Sequence, residues 1–215
     1  MPPFVERRKP PAPGSVPDVL GMFHAEVRFY REIAPVVGVR VPECYRAQDD
    51  DSGTLLEIED LSAWSPGADP AAAAGLLSGM HRRWLGEAPE RWPWLRPLGA
   101  GVGLVEQLFT ETWPGLAGRG DLPPAVASFG ARMAGPGQVT AAEEAIAEAG
   151  PLTLVHGDAQ AGNMRTSPDG EVALLDRVLP AVMVQGLLTM AGTPARSPEA
   201  RAQASRLAEG CRRLS

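Results

Sequence analysis

Lysine is almost absent from this chain of 215 residues: Lys9 is the only one among 20 basic residues. Cysteine is scarce too, because two thiols, Cys44 and Cys211, are too few for a disulfide framework. The 26 acidic residues give a formal net charge of −6, which argues against nucleic acid or an anionic membrane as a partner.

Long apolar runs are lacking as well. The uncharged stretch Val178–Gly192 contains Pro180 and Gln185 and is shorter than the ~20 apolar residues that a membrane span needs. Residues Met1–Gly14 contain charge and proline rather than an apolar segment, so they do not resemble a signal peptide. We therefore expect a cytoplasmic protein that uses no membrane.

Glycine and proline are abundant, at 24 and 22 residues, but they follow no period. A chain of this length fits one large domain or two small lobes. It can bury ~70% of its unfolded surface, so it needs neither a metal nor a disulfide in order to fold.

Local patterns predict a mixed α+β chain. Met1–Val16 is expected to be extended or poorly ordered, because it is rich in proline. The predicted helices are Asp18–Val36, Ala71–Leu85 (opened by Asp69-Pro70), Val102–Thr112, Pro124–Met133, Ala141–Ala149 (with Thr140 and Glu143 as a capping box) and Pro198–Leu214. A loop is predicted over Pro89–Pro97. The predicted strands form a hairpin over Cys44–Ile58, a buried strand at Leu152–Val155, and a second hairpin from Asn163 to Leu175 that turns at Asp169-Gly170.

The residues that indicate chemistry lie in and beside this second hairpin. The apolar segment Leu152–Val155 leads through His156-Gly157 to Asp158, and Asn163 follows five positions later. Asp176 comes after the returning strand. Asp–x4–Asn is the spacing of a kinase catalytic loop, where the Asp accepts a hydroxyl proton and the Asn holds Mg²⁺. We expect His156 to stabilise the loop rather than to catalyse.

Several segments in the same order resemble the aminoglycoside phosphotransferase and choline kinase superfamily, in its ecdysteroid-kinase-like branch. The likeness comprises four features: the helix Glu26-Val27-Arg28-Phe29-Tyr30-Arg31-Glu32, the stretch Leu55–Leu61 after Val41-Pro42, the helix Leu76–His81, and His-Gly-Asp-x4-Asn followed by the hairpin Asp. The resemblance implies an α+β, bilobal, protein-kinase-like fold. It also implies ATP- and Mg²⁺-dependent phosphorylation of a hydroxyl group on a small molecule.

The resemblance also implies roles for individual residues. Asp158 would be the catalytic base, and Asn163 and Asp176 would hold Mg²⁺. Glu26 would pair with a basic residue that binds phosphate, for which the register favours Arg8 or Lys9, and Lys9 is the lysine available. The adenine of ATP would contact the backbone of Glu59, Asp60 and Leu61, which form the hinge between the two lobes.

Compared with that family, the chain is expected to be shortened at both ends. It has a truncated N-terminal sheet lobe (1–61) and a mainly helical C-terminal catalytic and substrate lobe (62–215). No glycine-rich loop precedes Lys9, and Arg177 stands where the family has an aromatic residue. An incomplete sheet would leave an unpaired edge, which a second copy of the chain could cover.

Two other functions stay open. The missing glycine loop also suits a catalytically degenerate kinase-like binding protein or a gene fragment. The same carboxylates could serve a metal-dependent phosphate-ester hydrolase, although such enzymes gather several His ligands and only His156 is near.

Overall fold

The computed structural model describes residues 2–95, 102–148, 151–157 and 159–175. These residues form a mixed α+β structure with seven α-helices and two antiparallel sheets of three strands each. They divide into two compact units, the first drawn from residues 2–95 and 151–175 and the second from 102–148. Asp158, Asp176 and the helix predicted over 198–214 lie outside the described residues. The lobe boundary after residue 61 stays a prediction.

The first sheet contains strands β1 (Phe4–Arg8), β2 (Cys44–Asp50) and β3 (Gly53–Ile58), in the order β1-β3-β2. The hairpin of β2 and β3 confirms the prediction for Cys44–Ile58. Of the two states expected for the proline-rich N-terminus, extended or poorly ordered, the structure shows the extended one over Phe4–Arg8. Its residues pair with β3 from Phe4–Ile58 to Arg8–Thr54, and this long-range ladder fixes them.

Among the described residues, β1 pairs with β3 alone, so it is an edge of the sheet. Phe4 and Val5 on this strand are each 49% exposed. Coverage of the edge by a second copy stays a prediction.

The helix predicted over Asp18–Val36 is divided into shorter pieces. They are α1 (Val16–Val19), α2 (Met22–Arg28) and a π-helical turn (Phe29–Ile33), with Gly21 between α1 and α2. The predicted apolar spacing nevertheless produces one buried face. Val27, Tyr30 and Ile33 are at most 4% exposed.

Helix α3 (Pro70–Arg83) follows the predicted start signal closely. The Asp69 side chain accepts from the backbone N–H groups of Ala71 and Ala72, both at 3.0 Å, and so caps the helix. The predicted loop after it contains one more helical turn, α4 (Ala88–Arg91).

The second sheet contains β4 (Ser65–Pro66), β5 (Met164–Thr166) and β6 (Val172–Leu174), with β5 in the centre. The turn between β5 and β6 confirms the predicted hairpin, and the Gly170 N–H donates to the Ser167 carbonyl at 3.0 Å. Leu152–Val155 is not a strand, so that prediction was wrong. Its polar groups instead bond to α3 and the turn after it: the Leu152 carbonyl accepts from Gly86, and the Thr153 hydroxyl donates to the His81 carbonyl.

One apolar core joins all parts of the first unit. Leu56 of the first sheet, Met80 and Trp84 of α3 and its end, and Leu174 of the second sheet belong to the same buried cluster. The Trp84 indole donates to the Val37 carbonyl at 3.1 Å, which satisfies its polar atom within the core.

The second unit consists of α5 (Val102–Ala117), α6 (Pro124–Met133) and α7 (Gln138–Glu148) around a separate core. The predicted capping box at Thr140 was wrong, because Thr140 lies inside α7. Glu106 of α5 takes over the capping: its carboxylate accepts from the Gly137 N–H at 2.6 Å and from the Thr140 hydroxyl at 3.0 Å.

Gly53 gives a test of how β1 is held in place. Its φ is +123°, and a Cβ there would lie 2.0 Å from the Arg8 carbonyl oxygen. Gly53→Ala should therefore lower the free energy of unfolding by about 2 kcal/mol or more. Gly75→Ala on the open, exposed face of α3 is the control, and it should stabilise by about 0.5–1 kcal/mol. Urea unfolding measures both; equal stability of Gly53→Ala and the natural chain would contradict the described packing.

Candidate functional site

A cleft of about 410 Å³ opens within the first unit. The first sheet, α2 with the turn after it, the segment that follows β3, and the start of the β5–β6 hairpin all contribute to its walls. Six residues singled out by the sequence line it: Arg8, Glu26, Glu59, Asp60, Leu61 and Asn163. The fold thus brings together residues that lie more than 130 positions apart in the chain.

Arg8 holds one end of this cleft together. Its guanidinium donates to both carboxylate oxygens of Glu6, at 2.7 and 2.5 Å, and forms an ion pair with Glu26. The side chains of Arg8 and Glu26 are only 20% and 15% exposed. Burial alone would lower the pKa of Arg8, but the hydrogen bonds and charges of the two carboxylates outweigh it and raise the pKa.

The basic partner of Glu26 is therefore Arg8, one of the two residues that the sequence register favoured. Lys9 follows the end of β1, is exposed, and is not among the residues that line the cleft. The physical reason is the alternation of a strand, which sends neighbouring side chains to opposite faces. Phe4, Glu6 and Arg8 share the face that lines the cleft.

The hinge segment, Glu59–Leu61, is fixed by Arg40. The Arg40 guanidinium donates to the Glu59 carboxylate at 2.5 Å, and the Arg40 carbonyl accepts from the Leu174 N–H at 2.9 Å. Partial burial would raise the pKa of Glu59, but the hydrogen bonds from Arg40 and the Glu43 N–H lower it. Arg40 thus connects the hinge segment to strand β6.

Other polar groups of the hinge segment are also engaged. The Asp60 carboxylate accepts from the Ser62 N–H at 2.8 Å, and the Leu61 carbonyl accepts from the Trp64 N–H at 3.0 Å. Within the part of the chain that the structure describes, the N–H groups of Asp60 and Leu61 donate to no backbone carbonyl. These donors are available to a ligand.

The backbone of Leu175 is held from two sides. Its N–H donates to the Asn163 carbonyl at 2.9 Å, and its carbonyl accepts from Nε2 of His156 at 2.8 Å. Because a carbonyl only accepts, Nε2 of His156 carries the proton. His156 is 8% exposed, which agrees with its predicted stabilising role. These two bonds join the segments that lead to Asp158, Asn163 and Asp176.

The local sequence explains how this arrangement forms. Gly157, directly before Asp158, has a φ of +82°, a conformation that suits glycine and lets the chain turn sharply after His156. Asn163 ends a 3-10 turn (Ala161–Asn163), and its N–H donates to the Gln160 carbonyl at 2.9 Å.

Residues 2–95, 102–148, 151–157 and 159–175 contain no group of three His, Cys, Asp or Glu side chains that could hold a metal ion. Asp158 and Asp176, which are two of the three predicted oxygen donors, lie outside these ranges. Asn163 lies in the wall of the cleft, and its amide oxygen is a type of donor that suits Mg²⁺.

Sequence reasoning missed three side chains of this site. Glu6, Arg40 and Arg165 were not singled out, although Glu6 and Arg165 line the cleft and Arg40 holds the hinge segment. The alternation of Phe4–Arg8 would have found Glu6, because it places Glu6 and Arg8 on one face. No local signal connects Arg40 with Glu59, since they are 19 positions apart.

No protein-family model matches the chain, and no curated protein matches it in sequence. Within the described part of the chain, no helix combines the length and the apolar character that crossing a bilayer requires.

His156→Phe tests the bond between His156 and Leu175. The ring shape is kept but the donor is lost, so the Leu175 carbonyl loses its partner and unfolding should become about 1–3 kcal/mol easier. His81→Phe is the matched control, because the half-buried ring of His81 makes no hydrogen bond within the described part of the chain. The two variants should differ in denaturant midpoint; equal loss in both would contradict the assigned bond.

Proposed function

We propose that this protein is an ATP- and Mg²⁺-dependent phosphotransferase that acts on a hydroxyl group of a small molecule, with the bilobal kinase-like fold that the sequence suggests. The observation that carries the proposal is the pair of hydrogen bonds at the backbone of Leu175. Hydrogen bonds at its N–H and its carbonyl join the three segments that contain Asp158, Asn163 and Asp176. A phosphotransferase needs these three groups side by side.

The surrounding cleft supports the same reaction. Glu26 is paired with a cation on the neighbouring strand, and the hinge segment offers backbone N–H donors at another part of the wall. An adenine base takes donors of this kind. Lys9 has no support as the phosphate ligand, since it does not line the cleft.

The proposed chemistry is mostly positioning. Asp158 accepts the proton of the substrate hydroxyl while the hydroxyl oxygen bonds to the γ-phosphorus of ATP. The bond between that phosphorus and the bridging oxygen of ADP breaks. Mg²⁺, when bound, neutralises charge on the phosphates. Asn163 and Asp176 would hold this ion. His156 keeps the loop before Asp158 in position through the Leu175 carbonyl.

A second candidate function, nucleotide binding without turnover, is favoured by one observation. Nε, Nη1 and Nη2 of Arg8 all donate to the carboxylates of Glu6 and Glu26. The two carboxylates offset the positive charge of Arg8, which weakens its attraction for a phosphate. The two functions differ in turnover, so the experiments below measure binding and transfer separately.

Asp158→Asn tests the catalytic role. The variant should retain the natural melting temperature and bind ATP with Mg²⁺, while phosphoryl transfer to a panel of small hydroxylated molecules should fall by about 10²–10⁴-fold. Transfer is followed as ADP release that depends on the acceptor. Asp51→Asn is a control, because Asp51 is exposed in the turn between β2 and β3 and is not among the residues that line the cleft. An unreduced rate in Asp158→Asn would exclude Asp158 as the base.

Thermal unfolding with ATP and Mg²⁺ separates the two candidates. Ligand at 100 times its Kd should stabilise the folded protein by about 2.7 kcal/mol. A stabilised protein that transfers phosphate supports the phosphotransferase. Stabilisation without transfer to any acceptor favours the binding protein, and the absence of stabilisation contradicts both.

A further inference from the structure

We infer that Arg165 binds an anionic phosphate group in the cleft, a role that the resemblance did not assign. Two guanidinium groups, those of Arg8 and Arg165, lie among the described residues that line the cleft. Arg8 is neutralised by Glu6 and Glu26. Among the described residues, no carboxylate lies within ion-pair distance of Arg165.

The position of the Arg165 guanidinium is well defined. Its Nη1 donates to the carbonyls of Gly162, at 3.1 Å, and Met164, at 2.8 Å. These two carbonyls flank Asn163 in the chain, so the guanidinium lies beside the Asn163 backbone. The side chain therefore points back toward the proposed metal ligand rather than out along the strand.

The fold also makes this position rigid. Arg165 lies on β5, the central strand of its sheet, where it pairs with Pro66 on one side and Ala173 on the other. Met164, the preceding residue, is 4% exposed and belongs to the core. A half-buried side chain on such a strand loses little freedom when it binds a ligand.

The donors left on Arg165 match an oxyanion. Both N–H groups of Nη1 are used by the two carbonyls, whereas Nε and Nη2 donate to no described residue. That edge of a guanidinium presents parallel N–H groups, which bind two oxygens of one phosphate.

The described carboxylates that line the cleft are bonded to groups other than Arg165. Each accepts at least one N–H: Glu6 and Glu26 from Arg8, Glu59 from Arg40 and the Glu43 N–H, and Asp60 from the Ser62 N–H. Among the described residues that line the cleft, Arg165 is thus the cation that can form an ion pair with an anionic ligand.

The inference rests on the proposed function only in taking polyphosphate as the anion, and it can be tested without turnover. Inorganic tripolyphosphate is titrated into the full chain without Mg²⁺ at low salt, by calorimetry, and adenosine is titrated separately. The variants are Arg165→Gln, Arg165→Lys and the control Arg82→Gln, an exposed arginine of α3 that bonds only Ser78. The melting temperature of each variant is measured alongside.

Arg165→Gln should bind tripolyphosphate at least about tenfold more weakly than the natural chain, and its affinity should depend less on salt. Arg165→Lys keeps the charge but not the paired donors, so its affinity should be intermediate. Arg82→Gln should match the natural chain, and adenosine affinity should not change.

Three results would overturn the inference: no binding of tripolyphosphate by the natural chain, equal binding by Arg165→Gln, or a loss confined to adenosine. Failure of the proposed function gives a different result. Binding of tripolyphosphate through Arg165 without phosphoryl transfer would keep the inference and refute the phosphotransferase. Phosphoryl transfer by Arg165→Gln with an unchanged KM for ATP would support the phosphotransferase and refute the role of Arg165.

Discussion

The candidate site depends on the backbone of one residue, Leu175. Asn163 accepts its N–H and His156 donates to its carbonyl. A buried or half-buried backbone group needs a partner, and here both partners come from the loop that contains the proposed reactive residues. These bonds join the chain just before Asp158, the backbone of Asn163 and the chain just before Asp176.

Arg40 extends this arrangement to the rest of the first unit. Its carbonyl accepts from Leu174, and its guanidinium binds Glu59 of the hinge segment. The hinge segment and the hairpin are therefore joined through one residue, and Leu56 and Leu174 share a core beneath them. A cleft with such walls keeps its shape before a ligand arrives, and preorganisation of this kind is what phosphoryl transfer requires.

Local signals predicted much of the fold, and long-range contacts account for the rest. Asp69 marked the start of α3, and Asp169-Gly170 marked the hairpin, because capping and turn preferences act within a few residues. Strand β1 and the capping of α7 by Glu106 depend on pairs that are distant in sequence. For the cleft, the sequence singled out Glu26, the hinge segment and Asn163. It could not decide between Arg8 and Lys9, because that choice depends on which face of β1 meets the cleft.

The central claim is that side chains 158, 163 and 176 surround one divalent cation, and electron paramagnetic resonance of Mn²⁺ in the presence of ATP tests it most directly. The natural chain should bind about one Mn²⁺ with ATP. Asn163→Ala and Asp176→Ala should each weaken that binding at least about tenfold, while Asp51→Asn, in the exposed turn between β2 and β3, should not. Binding of Mn²⁺ with unchanged affinity in both alanine variants, or none in the natural chain, would contradict the account.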